Sequence, residues 1–137
     1  MNQDIYIKLL EELLANINDG IHFVDQKNIT QIYNHNMEKI EGMDAKIILG
    51  KNFRDIFKDI PEEESTLLKA LKGISIKDNI QRYQNKNGKE IIALNTTLPI
   101  KVNGKILGAL EISKDITKIK KLSDELIKLQ TINNEVG

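Results

Sequence analysis

The chain contains no cysteine and no tryptophan, and only two prolines. Without cysteine there is no disulfide, no thiolate nucleophile or thiolate metal site, and no cysteinyl adduct of a light-absorbing cofactor. That fits a reducing compartment. Charge of one sign is also lacking, because 20 basic and 20 acidic residues cancel. Charge balance therefore argues for neither nucleic acid nor a membrane surface as a direct partner. No apolar run approaches the roughly 20 residues of a membrane span. The opening MNQDIYIKLLEELL sets acids inside its apolar pattern and has no basic leader, so it does not read as a signal peptide. The expectation is a cytoplasmic protein.

Convergent chemistry is missing too. The acids fall in separate groups, Glu11-Glu12, Glu62 to Glu64 and Asp124-Glu125, and Glu62 to Glu64 reads as the complement of a helix dipole. His22 and His35 are the only histidines and stand apart as core or surface residues. No nucleophile–base arrangement, metal-ligand spacing or GxxxxGK loop is present. Neither an enzyme nor a metal site is expected.

What the chain does have is clear periodicity. Ile5, Leu9, Leu10, Leu13, Leu14 and Ile17 recur at three- and four-residue spacing, which predicts an amphipathic helix over 4–18 that could cap one sheet face or pair with a second subunit. Two short strands follow, Gly20 to Asp25 and Ile29 to Tyr33, joined by Gln26-Lys27-Asn28. Asn34 is placed to cap a helix from Asn36 to Glu41 that Gly42 ends, and Asp44 to cap a turn through Ile48. Asn52 to Ile60 reads as another short helical piece. Pro61 with Glu62 to Glu64 reads as the start of a helix carrying Leu67, Leu68 and Leu71 and ending at Gly73. The rest is a meander of three strands turning at Asn87-Gly88 and Asn103-Gly104, where both turn residues are expected at positive φ. Pro99 inside the middle strand should mark a bulge or a lapse in pairing.

The stretch Ile106 to Thr117 organises the whole. It alternates as a half-buried strand, breaks at Asp115-Ile116-Thr117, and gives way to a heptad stripe. Ile119, Leu122, Leu126, Leu129 and Val136 fill its a and d positions, with Asn133 at the remaining a. The stripe predicts a parallel two-stranded coiled coil, or a helix folded back on its own domain. Asp115 and Thr117 would cap that helix and fix the angle at which it leaves.

Element order and short motifs together resemble a PAS domain over about residues 12–125. The motifs are Gly20-Ile21-His22 with Asp25, Tyr33-Asn34, Glu41-Gly42, Leu49-Gly50-Lys51 and Asp115-Ile116-Thr117. A narrower resemblance rests on Glu63 to Leu68, Asn95 to Ile100, Gly108 to Ile112, Lys114 to Thr117 and Leu129-Gln130. These look like the N-terminal sensor of bacterial sigma-54-dependent transcriptional activators, close to the arginine-utilisation regulators. The fold implied is α+β: a five-stranded antiparallel sheet with short helices on one face, an N-terminal helix (1–19), a core (20–117) and a C-terminal exit helix (118–137).

The resemblance also implies what such a domain does. It would be a homodimeric sensor without catalysis, passing a signal through Asp115, Ile116 and Thr117 and the exit helix to an AAA+ ATPase and a helix-turn-helix domain. A cavity between sheet and helices could take a small molecule, with Tyr33, Met37, Ile40, Phe53, Ile56, Leu71, Ile80, Asn95 and Ile112 as candidate lining. The alternative is that these residues simply fill a core. The Asn95 amide either meets a ligand or satisfies a backbone group. No cofactor is expected: the helix over 61–73 lacks the histidine that haem-binding relatives use, and covalent flavin needs a cysteine. The sensor of a histidine kinase and a pure dimerisation module remain the other readings.

Overall fold

The structure is a computed structural model that describes residues 2–136, and of Val136 the backbone alone. A 14-residue helix α1 (Gln3–Asn16) leads into strands β1 (Gly20–Asp25) and β2 (Thr30–Tyr33). Three short helices follow, α2 (His35–Glu41), α3 (Ala45–Ile48) and α4 (Phe53–Ile56). After a 3₁₀ turn at Glu62–Glu64 come α5 (Thr66–Leu71), β3 (Ile76–Gln84), β4 (Glu90–Val102), β5 (Lys105–Asp115) and α6 (Thr117–Val136). The five strands form one sheet in the order β2-β1-β5-β4-β3, with every pairing antiparallel. The α+β architecture expected from the sequence is present.

Side-chain caps start the short helices. Asn34 accepts from Met37 N, Asp44 from Lys46 N, Asn52 from Arg54 N and Ser65 from Leu68 N. Each supplies an acceptor to a helix too short to stabilise itself. Asn34 does more: its Oδ1 also takes Ile21 N at 2.8 Å, and its Nδ2 donates to Asp19 O at 3.0 Å. One amide thus ties α2 to β1 and to the approach from α1.

Two local expectations need correction. The helix from Pro61 is split, because Ser65 adopts extended backbone (φ −77°, ψ 113°) and its hydroxyl caps a new helix instead of continuing the old one. The helical piece over 52–60 shrinks to Phe53–Ile56. The two Asn-Gly turns also differ. At Asn103-Gly104 both residues are left-handed (φ 53° and 77°), as a two-residue hairpin requires. At Asn87-Gly88 only the glycine is (φ 78°). There the loop is longer, because Asn85 Oδ1 takes the amides of Asn87 and Lys89 while its Nδ2 donates to Ile40 O on α2. Pro99 stays paired with Ala109; it lies past the last β3 partner (Ile76↔Thr97), so β4 has a single neighbour there, and a bulge follows at Ile100/Lys101.

The sheet has two unlike faces. His22, Val24, Ala109 and Ala93 belong to the inner face, which packs on α2 to α5. Its core joins Val24, Tyr33, Met37, Met43, Ile48, Phe53, Leu67, Ala70 and Ala109. A smaller cluster joins Ile40, Ile91 and Ala93. The outer face carries Phe23, Ile32, Leu94, Leu98, Leu110 and Ile112, all half-buried. Gly108 belongs to it because the Phe23 ring lies over its Cα; any side chain there would strike that ring and the Val24 carbonyl. The expectation that α1 covers this face fails: no residue of α1 is buried, and Ile5, Leu9, Leu10 and Leu13 stand exposed. On α6 the a and d residues Ile119, Leu122, Leu126 and Leu129 are exposed as well, and so is Asn133; the Val136 side chain lies outside the described residues. The exit helix does not fold back on its own domain.

Candidate functional site

Between the inner sheet face and the α4–α5 segment lies a cleft of about 720 Å³, within the range of small-molecule sites. Its apolar wall is Phe53, Phe57, Ile60, Leu67 and Leu68, and its floor is polar: His22, Glu41, Gln81, Tyr83, Asn95 and Glu111. Strand alternation places the floor. Glu111 and Ser113 share the inner phase of β5 with Ala109, and Asn95 and Thr97 share that of β4 with Ala93. Glu41 follows Met37 by four residues on α2 and so faces the same interior.

These groups differ in how well they are satisfied. His22 is buried and its Nε2 lies 2.8 Å from Thr30 Oγ1. Its ring meets Tyr33 and Phe53 edge-on, with centroids 5.1 and 6.2 Å apart. Burial lowers its pKa to about 3, so it stays neutral and does not titrate near pH 7. Thr97 donates to Thr66 Oγ1 at 3.1 Å, joining β4 to α5. Asn95, 4% exposed, donates from Nδ2 to Gln81 Oε1, while its Oδ1 has no partner among the described residues.

The carboxylates are the unusual members. Burial raises Glu41 to about 7, against the opposing pull of the Tyr33 hydroxyl and nearby Lys86. The Tyr33 hydroxyl donates to Glu41 Oε1 at 2.5 Å. Lys86 is engaged elsewhere, its Nζ 3.4 Å from Ile56 O and 5.3 Å from the centre of the Phe57 ring. Glu111 rises to about 8, through burial first and the charge of Glu41 second. No ion pair within 4 Å joins either acid to a cation among the described residues. Tyr33 and Tyr83 are both pushed upward, mainly by burial and then by the Glu41 charge, so both phenols stay protonated.

Of the lining residues expected from sequence, Phe53 and Asn95 border the cleft. Tyr33 does not line it but sits in the main core, bonded to Glu41; Met37 sits in the same core, Ile40 packs on Ile91 and Ala93, and Ile56 and Leu71 back the main core. Ile80 and Ile112 are corrections. Both occupy the opposite strand phase, Ile80 at 52% exposure and Ile112 paired with Thr96 on the outer face. Glu41, Glu111 and His22 were missed as site residues. A charged residue at the inward phase of a strand (Ala109, Glu111, Ser113) was the available signal.

The exit from the sheet has its own geometry. Thr117 N donates to Asp115 Oδ1 at 2.9 Å and the Thr117 hydroxyl donates to the same oxygen at 2.5 Å. Thr117 Oγ1 also accepts from Ile92 N at 2.9 Å, and Ile116 N donates to Ile92 O at 2.9 Å. The first turn of α6 is thus fastened to β4, three residues from Asn95 on the cleft floor.

Comparison with known proteins agrees with this architecture. A PAS domain family model matches residues 18–118. The transcriptional activator RocR of Bacillus subtilis (strain 168) is 42% identical over 118 residues, covering 85% of this chain but 26% of its own length. The chain therefore spans about a quarter of that relative. Among solved structures, an RNA-binding Light-Oxygen-Voltage receptor aligns over 98% of this chain and 39% of its own (TM-score 0.72, 17% identity). The PAS domain of a protein from Colwellia psychrerythraea aligns over 82% of this chain and 98% of its own (TM-score 0.64, 22% identity). At such identities the two structures speak for the fold alone. Sheet order, capped short helices, family model and 42% relative lead to one assignment: the chain belongs to the PAS domain family.

Proposed function

We propose that this chain is the sensory domain of a bacterial sigma-54-dependent transcriptional activator. A small molecule held in the cleft alters the seating of α6, and α6 carries the change to an AAA+ ATPase and a helix-turn-helix domain in the parent protein. The observation that carries the reading is the Ile92–Thr117–Asp115 junction, which ties the exit helix to the same strand that supplies Asn95 to the cleft. A displacement of β4 on that floor cannot leave the first turn of α6 unmoved while those bonds hold. The domain binds and switches, with no chemistry of its own. RocR is a transcriptional activator by name, which favours this parent over a histidine kinase, and the open cleft favours a ligand sensor over a filled dimerisation module.

The working form is a homodimer in the cytoplasm. A second copy is the occupant that suits α6, because an exposed a/d seam is complementary to itself, and Asn133 at an a position helps fix a parallel register. The exposed stripe of α1 adds apolar surface to the same assembly.

Native mass spectrometry of freshly purified protein tests both parts. A dimer carrying a stoichiometric added mass, lost on mild denaturation, is expected. A monomer with no added mass, unresponsive to metabolite extracts in thermal-shift assays, would remove the sensor reading.

A further inference from the structure

The cleft has one firmly held side and one loosely held side. Its floor belongs to the sheet, and α5 is joined to that sheet by the Thr97 hydroxyl, which donates to Thr66 Oγ1 at 3.1 Å. The stretch from Phe57 to Glu64 connects α4 to α5 and borders the same cleft through Phe57, Lys58, Ile60, Glu63 and Glu64. Its backbone bonds are local: Phe57 N donates to Phe53 O, Ile60 N to Phe57 O and Glu64 N to Pro61 O. Among the described residues, no backbone hydrogen bond joins this stretch to the sheet. Residues 58–64 are exposed throughout, and Ile60 is 49% exposed although it borders the cleft. Few buried contacts and solvent-facing local bonds are what let a segment open without unfolding its domain. At both ends the backbone leaves helical geometry, at Phe57 (φ −103°, ψ 56°) and at Ser65 (φ −77°, ψ 113°).

One side chain from elsewhere reaches the root of this strap. Lys86 lies just beyond β3, in the turn that Asn85 holds against α2, and its own amide donates to Glu41 O at 3.0 Å. Its backbone is therefore fixed to the end of the helix that supplies Glu41 to the cleft. Its Nζ donates to Ile56 O at 3.4 Å and lies 5.3 Å from the centre of the Phe57 ring. The Ile56 carbonyl is among those that a helix end leaves without an intrahelical partner. Glu62 adds pairs to Arg54 and Lys72 at 3.7 and 3.8 Å, both exposed, and such pairs contribute little. The geometry points to residues 57–64 as a lid over the cleft, hinged beside Phe57 and at Ser65, with Lys86 as the latch that holds its root. Lys86 is a positioning residue: it lies outside the cleft lining and acts through the Phe57 ring and the Ile56 carbonyl. When the ammonium lets go, the strap swings outward, Ile60 leaves the mouth and the floor around Asn95 meets solvent. The lid governs admission to the cleft, and it rests on the sensor reading only in that the cleft is the binding site.

The chain has no cysteine, so a thiol placed on the floor reports access without interference. Asn95→Cys is the reporter, because Asn95 borders the cleft at 4% exposure. Its alkylation by iodoacetamide, with no ligand added, is followed by mass spectrometry beside hydrogen exchange of the same protein. Adding Lys86→Ala should speed alkylation by about two- to fivefold, the weight of an exposed cation–π contact. Exchange should quicken in residues 57–65 and stay unchanged in the sheet. Lys86→Arg, which can still donate to Ile56 O and lie over the Phe57 ring, should restore the parent rate. Melting curves for each variant confirm folding. An alkylation rate indifferent to Lys86→Ala, a Lys86→Arg rate as fast as that of Lys86→Ala, or faster exchange spread evenly through the sheet would each overturn the lid. Because no ligand enters the measurement, any of these results leaves the sensor reading to native mass spectrometry.

Discussion

The interior of this domain and its terminal helices invert the usual distribution of polarity. Inside, between the sheet and the short helices, lie two carboxyl groups, a histidine, an asparagine and paired threonines. Outside, on α1 and α6, Leu9, Leu10, Leu13, Ile119, Leu122, Leu126 and Leu129 face solvent. Both arrangements oppose what folding alone favours, because half-buried carboxyl groups lose part of their hydration and exposed leucines gain no burial. Each departure marks a surface reserved for something other than the chain's own core. Under the function proposed above, the polar pocket is the place for a ligand and the apolar helices the place for a second copy.

The sharpest way to break that contrast is on α6. Leu122→Asp with Leu126→Asp should abolish dimerisation, seen as a monomer by sedimentation across concentrations where the parent is dimeric. Circular dichroism should show the sheet unchanged. A dimer surviving both charges would assign self-association elsewhere. Next comes the core itself. Met37→Ala, fully buried between β1 and α2, should cost about 2–5 kcal/mol in denaturant unfolding. Leu126→Ala, measured on monomer, should cost under about 0.5 kcal/mol. Equal losses would mean that α6 packs on its own domain.

The third test sharpens the polar side. Glu111→Gln removes a group whose folded pKa of about 8 lies above its unfolded value. The native state therefore holds its proton more tightly than the unfolded chain does, and stability falls as pH rises through the window from about 4.5 to 8. The variant should melt higher than the parent at pH 8.5, on the order of 1–2 kcal/mol more stable, with the gain vanishing near pH 4. His22 carries the opposite sign: lowered to about 3, it contributes stability above pH 6.5 that is lost as pH falls towards 3. Thr117→Val removes the acceptor for Ile92 N and should cost about 1 kcal/mol. Its larger consequence is for coupling. Ligand should still bind this variant, but the spectrum of a probe on α6 should no longer respond to it.

Much of this was legible locally. Asn34, Asp44 and Ser65 can accept from the amides two or three residues on, and Asn103-Gly104 can adopt two positive φ angles wherever it occurs. The misreadings arose where a distant group intervened. Asn85, anchored to Ile40 O forty-five residues away, lengthened one Asn-Gly turn. Ser65 chose between continuing a helix and capping a new one. Ile80 and Ile112 fit a lining role by composition, and only their pairing with neighbouring strands puts them on the far face.

The sequence by itself determined the order of elements, the antiparallel meander, the capped helices and the heptad stripe of the exit helix. Those depend on dihedral preferences and periodicities that act within a few residues. Tertiary structure alone decided that Glu41 of α2 and Glu111 of β5 share one cleft, seventy residues apart in the chain. It also decided that Asn95 Oδ1 goes unpaired among the described residues and that Thr117 fastens α6 to Ile92. Desolvation and the repulsion between two carboxylates are properties of a place, and no stretch of sequence contains that place until the sheet has closed over it.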